Sequence, residues 1–128
     1  MRRLPQPRPG QSGSSAVEMA VVLPVALLFV IGLLEFGRII WTQTTLDYAV
    51  ESAARCASIN SNLCGNAAAV QSFAVRAAAG LAVTTSNFSL STPSCGSLVS
   101  ASLPYNFAVP WLFPYSLTLT SSACFPLP

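Results

Sequence analysis

The chain has 128 residues, 52% of them hydrophobic and only 8% charged, with six Lys+Arg, four Asp+Glu and no histidine. That balance excludes a disordered acidic or basic tail, which needs high charge and low hydrophobicity, and it excludes histidine chemistry outright. A mean hydropathy of +0.58 and about a third of the usual charge content separate the chain from ordinary soluble domains, and its length leaves room for one small core.

Arg2, Arg3 and Arg8 are half of the basic residues and all precede the first apolar run. The other three, Arg38, Arg55 and Arg76, are too scattered to track a phosphate backbone, so nucleic-acid binding is excluded. After Arg76 the chain carries no formal charge, and its polarity comes from Ser, Thr and Asn. Such a surface resists aggregation poorly, which points to partners that cover it.

Residues 1–13, MRRLPQPRPGQSG, hold three arginines, three prolines and two glycines, and read as a basic leader with nothing to bury. From Met19 to Leu34 there are sixteen residues without a charge. The run extends to Trp41 if Glu35 and Arg38 are tolerated near its end; sixteen residues of helix span about 24 Å, a little short of a ~30 Å hydrocarbon layer, so the flanks must snorkel or the membrane must thin. Pro24 deletes one backbone hydrogen bond inside the run and would kink or locally melt it, which membrane helices tolerate better than soluble ones. The arginines lie before the run and Trp41 stands where an interfacial aromatic would, which predicts a cytoplasmic N-terminus with everything beyond about residue 41 outside.

From Thr42 to Ala57 the pattern becomes one-sided: Leu46, Ala49, Val50, Ala53, Ala54 and Ala57 fall on one helical face, with Asp47, Glu51 and Arg55 on the other. Asn60 to Asn66 reads as a loop, and Ala67 to Ala79 as a second helix stopped by Gly80. Beyond Gly80 three alternating stretches, VTTSNFSLST, SLVSASLPYNFAV and YSLTLTSSAC, predict three strands. In the middle one Val99, Ala101, Leu103, Tyr105 and Phe107 share a face, Pro104 marks an edge position or a bulge, and the prolines from Pro110 to Pro114 make a wide turn. The expected fold is α+β: a long N-terminal transmembrane helix extending into an amphipathic helix, a second short helix and a small antiparallel β-sheet. Its parts are a leader (1–13), a transmembrane helix (14–41), an extracytoplasmic helical region (42–80) and a small β-rich region (81–128).

Cys56, Cys64, Cys95 and Cys124 permit three pairings. Outside the cytoplasm disulfides persist. Pairing the last two strands about a centre near residue 110 sets Cys95 opposite Cys124 and leaves Cys56 with Cys64. A zinc site is disfavoured, because the spacings of 8, 31 and 29 contain no CxxC and no histidine is present.

Glu18 stands at the head of the apolar run, where a carboxylate costs about 2.5–3.5 kcal/mol once it enters hydrocarbon. It can remain in the headgroup layer or answer the positive end of the helix dipole. A cut after Gly13 would give it another role, because Ser14 would then carry a new amino terminus four residues before it, and two opposite charges buried together cost less than either alone.

The stretch GSSAVEMAVVLPVALLFVIGLLEFGRIIWTQTTLDYAVESAAR resembles the TadE-like (TadE/TadG) minor pseudopilins of the tight-adherence, Flp-type IV pilus system. The residues that carry the resemblance are Gly13, Ala16, Val17, Glu18, Pro24, the run Glu35, Phe36, Gly37 and Arg38, and the helix through Ala53, Ala54 and Arg55. It covers about 45 residues closely. The resemblance implies cleavage between Gly13 and Ser14 at the cytoplasmic face by a prepilin peptidase, with Glu18 as the recognition and assembly glutamate. Met19 departs from the pattern, since related pilins often carry an aromatic there. Also implied are residence in the bacterial inner membrane with a periplasmic C-terminal region, partnership with other pilins and the Tad secretion machinery, and a place in the surface pilus after assembly. Glu35 and Arg38, three apart, can pair on one helix face or meet a partner.

Other readings compete. A secretory signal peptide would need small residues at the −3 and −1 positions after the apolar run, and LLEFGRIIW offers none that fits. A single-pass anchor subunit of an envelope secretion complex that keeps its leader remains the main alternative. No enzyme is expected, with no catalytic, metal or cofactor residues and no small-molecule substrate: the four acids Glu18, Glu35, Asp47 and Glu51 all lie along one helix, and the serines have no base to activate them.

Overall fold

The computed structural model describes residues 12–128, so the arginine- and proline-rich part of the expected leader, 1–11, lies outside the described residues. The elements in chain order are helix α1 (Ser12–Ile59), a one-turn helix α2 (Ser61–Cys64), helix α3 (Ala67–Ala77), a 3-10 turn (Thr85–Asn87) and strands β1 (Phe88–Ser91), β2 (Ser97–Tyr105) and β3 (Leu117–Phe125). This is an α+β architecture. The chain divides at Phe36/Gly37 into two units.

In the first unit, α1 runs as continuous helix through Pro24, so the proline does not end it. Apart from Ile31, every large apolar side chain from Val17 to Leu34 is at least half exposed, from 50% at Leu28 and Val30 to 68% at Phe29. A helix that is apolar on all sides needs lipid or other helices around it. The segment is long and apolar enough to cross a membrane.

The second unit builds one core from both its helices and its sheet. Leu46, Ala49, Val50, Ala53 and Ala54 of α1 are fully buried, together with Val70 and Ala74 of α3 and Phe88, Val99, Ala101 and Leu119 of the sheet. Small alanines and larger side chains such as Leu46, Val50, Phe88 and Leu119 fill this core together. Asn60 caps α2 by accepting from the Leu63 amide at 3.1 Å, and Asn66 caps α3 by accepting from the Ala69 amide at 2.9 Å. The expected loop 60–66 therefore contains a turn of helix, because two successive asparagines each satisfy a free backbone N–H. Gly80 follows α3 at φ +90°, a conformation that favours glycine.

The sheet is antiparallel in the order β1-β2-β3. β1 is shorter than the sequence suggested, because Thr84 and Asn87 close a reciprocal cap that holds 85–87 as a 3-10 turn. β2 alternates as its sequence does: Ser97, Val99, Ala101 and Tyr105 are buried, whereas Ser102 and Pro104 are exposed. Pro104 lies in the central strand, but β1 reaches only from Leu98 to Ala101, so β2 has no neighbour on that side at the proline. A missing N–H is tolerated there.

Two disulfides close the unit. Cys56–Cys64 ties the end of α1 to α2 with a Cα separation of 5.8 Å, and Cys95–Cys124 spans 6.3 Å. In the observed register Leu103 pairs with Leu119, a midpoint of 111, and Cys124 stands opposite Leu98. Cys95 reaches it from the turn before β2, not from a facing strand position. That turn is closed by the Gly96 amide donating to the Pro93 carbonyl at 3.0 Å, and Gly96 has φ +121° with the Phe125 carbonyl oxygen directly in the path of any Cβ. Only glycine lets the turn approach β3 so closely.

Candidate processing and assembly site

Gly13 and Ser14 lie in the first turn of α1 and are exposed. A Cβ built on Gly13 meets nothing within 4 Å. A glycine near a helix start costs helix stability, and packing among the described residues does not require it. Glu18 is four residues after Ser14, one helical turn on and on the same face, about 6 Å along the axis. It is exposed, and the helix around it presents Val17, Met19, Val21 and Val22, each more than half exposed. The carboxylate is thus the single charge beside an uncovered apolar surface that continues to Leu34.

The Glu35 to Arg38 motif is placed differently residue by residue. Glu35 is buried at 5% exposure, although Leu34 and Phe36 beside it are 66% and 62% exposed. A Cβ on Gly37 would meet open space. Arg38 holds its guanidinium carbon 5.7 Å from the ring centroid of Tyr105, within cation–π range, and its carbonyl accepts from the Thr42 hydroxyl at 2.8 Å. Tyr105 is therefore part of this element's surroundings, a link that sequence spacing does not disclose.

Three side chains that the sequence did not single out bind the second unit together. Gln43 donates from Nε2 to the Thr120 carbonyl at 3.0 Å and to Asp47 at 2.9 Å. Gln71 donates to the Phe88 carbonyl at 2.9 Å, and Ser58 donates to the Pro126 carbonyl. Gln43 and Gln71 thus each satisfy a carbonyl on β3 and β1, the two edge strands. Among the described residues no group of three or more His, Cys, Asp or Glu is placed to hold a metal. The groove on the outer face of the sheet is lined by hydroxyls such as Ser89, Ser100, Ser102 and Thr120 with Asn87, and contains no acid or base.

The family model described as TadE-like protein matches residues 13–55. This segment is TadE-like. The match begins at Gly13, contains Glu18 and the Glu35–Arg38 run, and ends at Arg55 in the amphipathic part of α1. Neither a curated protein nor a solved structure matches the chain.

Proposed function

We propose that the protein is a minor pseudopilin of the Flp-type pilus system, processed by a prepilin peptidase between Gly13 and Ser14 and then used to build or prime the pilus or its secretion machine in biogenesis and adhesion. The observation that carries this reading is the TadE-like match that starts at Gly13, joined to a carboxylate, Glu18, one turn inside an apolar helix that the chain leaves uncovered. Cleavage discards Arg2, Arg3 and Arg8 and leaves a positive amine on Ser14. When subunits stack by their apolar helices, that amine on one copy meets Glu18 on a neighbour. The pair then enters a low-dielectric environment together, at less cost than an isolated carboxylate.

The protein acts as a substrate of processing and a structural subunit, without catalysis of its own. It resides in the bacterial inner membrane with its N-terminus in the cytoplasm and its disulfide-bonded unit in the periplasm, until assembly carries it outward. Its partners are the peptidase, other pilins or pseudopilins and the Tad machinery.

The unprocessed anchor subunit is the second reading, and one observation favours it: the Gly13–Ser14 bond lies within helix, so a peptidase must first unwind a turn. Helix ends fray readily, which makes that a small barrier. Fractionation of a Glu18→Ala strain tests the proposal. The variant should insert and form its disulfides normally yet disappear from the sheared surface fraction, whereas unchanged piliation would refute the charge-pairing mechanism.

A further inference from the structure

Three contacts fix how β3 runs along the second-unit part of α1. Arg38 lies over Tyr105, the strand partner of Leu117; Gln43 binds Thr120; and Ser58 binds Pro126. Arg38 to Ser58 is twenty residues of helix, about 30 Å at 1.5 Å per residue. Leu117 to Pro126 is nine residues, about 31 Å at 3.4 Å per residue. Helix and strand therefore run side by side in the same direction and over the same length. The turn between β2 and β3, residues 106–116, is thereby held at the Arg38 end, and Cys95–Cys124 at the other.

That turn carries Trp111, 81% exposed, and Tyr115, 77% exposed, above every other large apolar side chain among the described residues. They stand on a built base. Phe107 stacks on Phe113 at 5.3 Å and meets Tyr105 edge-on at 5.2 Å, and the Leu112 and Phe113 amides both donate to the Val109 carbonyl at 3.1 Å. Pro110 and Pro114 restrict the backbone further. The turn has no charge to desolvate. Trp41, three residues beyond Arg38 and 54% exposed, is at the same end, with Gly80 against its ring.

We infer that the 106–116 turn is a second membrane contact, which places Trp111 and Tyr115 in the outer headgroup layer of the bilayer that α1 crosses, level with Trp41. Indole and phenol rings favour that layer because they combine an apolar body with a polar tip. A lipid surface is the occupant indicated because the turn is held at the end of the unit where the chain leaves its apolar segment. The inference rests on the reading that α1 spans a membrane, and the two fail separately.

The chain contains two tryptophans, so fluorescence of the full-length protein in phosphatidylcholine vesicles, with and without lipid brominated near the headgroup, reads each in turn. In Trp41→Phe the remaining Trp111 emission should be blue-shifted relative to water and strongly quenched by the bromolipid. In Trp111→Phe the remaining Trp41 should also be quenched. The difference between wild type and Trp111→Phe provides the Trp111 signal without altering Trp41. Quenching of Trp41 with Trp111 emitting as in water would overturn the inference and leave the spanning helix intact. Absence of quenching at both would overturn the spanning reading and the inference with it. A blue-shifted but unquenched Trp111 would mean that a second copy covers it, which overturns the inference as well.

Discussion

Gln43 and Thr120 are separated by 77 residues in the chain and joined by one hydrogen bond of 3.0 Å, from the side-chain amide of α1 to a backbone carbonyl of edge strand β3. Replacing Gln43 with Ala leaves that carbonyl to water and frees the strand edge. The variant should lose about 0.5–1.5 kcal/mol in denaturant unfolding of the full chain in detergent. An unchanged midpoint would show that the bond contributes nothing.

The two disulfides should differ in their contributions. Cys95–Cys124 closes a sequence separation of 29 and Cys56–Cys64 one of 8. Loop-closure entropy assigns them about 3.6 and about 2.5 kcal/mol respectively. Paired serine substitutions, measured by chemical unfolding, should rank in that order, and thiol titration of oxidised wild-type protein should find no free thiol.

Gly96→Ala should be far more damaging than Gly80→Ala. Both glycines have positive φ, +121° and +90°. At Gly80 the added carbon meets the ring of Trp41 at 3.2 Å, a side chain that can shift, but at Gly96 it runs into the backbone of Phe125 and Pro126. A side chain held at such sparsely populated positive φ costs about 1–3 kcal/mol, and the backbone collision adds to it only at Gly96. Thermal unfolding of the two variants side by side checks the ranking.

The parts of the fold governed by local pattern were legible in the sequence. Leu46, Ala49, Val50, Ala53 and Ala54 announce their buried face by helical spacing, and Val99, Ala101 and Tyr105 announce theirs by alternation. What escaped depends on partners distant in sequence. No local signal tells that Gln43, Ser58 and Gln71 are satisfied by strand carbonyls, or that Tyr105 lies under Arg38. The β2–β3 pairing centres on residue 111, within one residue of the centre that the sequence suggests, and Cys95 lies in the turn outside the paired positions. The family motif was legible because it is carried by residue identities within one helix. Its chemistry is not written in that helix alone, since among the described residues a Cβ on Gly13 would meet nothing within 4 Å and Glu18 is exposed.

The most direct measurement is the mass of the N-terminal peptide of the protein isolated from native membranes. A peptide beginning at Ser14 is expected, and replacing Gly13 with a bulky residue such as Leu should abolish it. A peptide retaining residues 1–13 in the wild-type protein would contradict the account and leave a fixed, unprocessed anchor in its place.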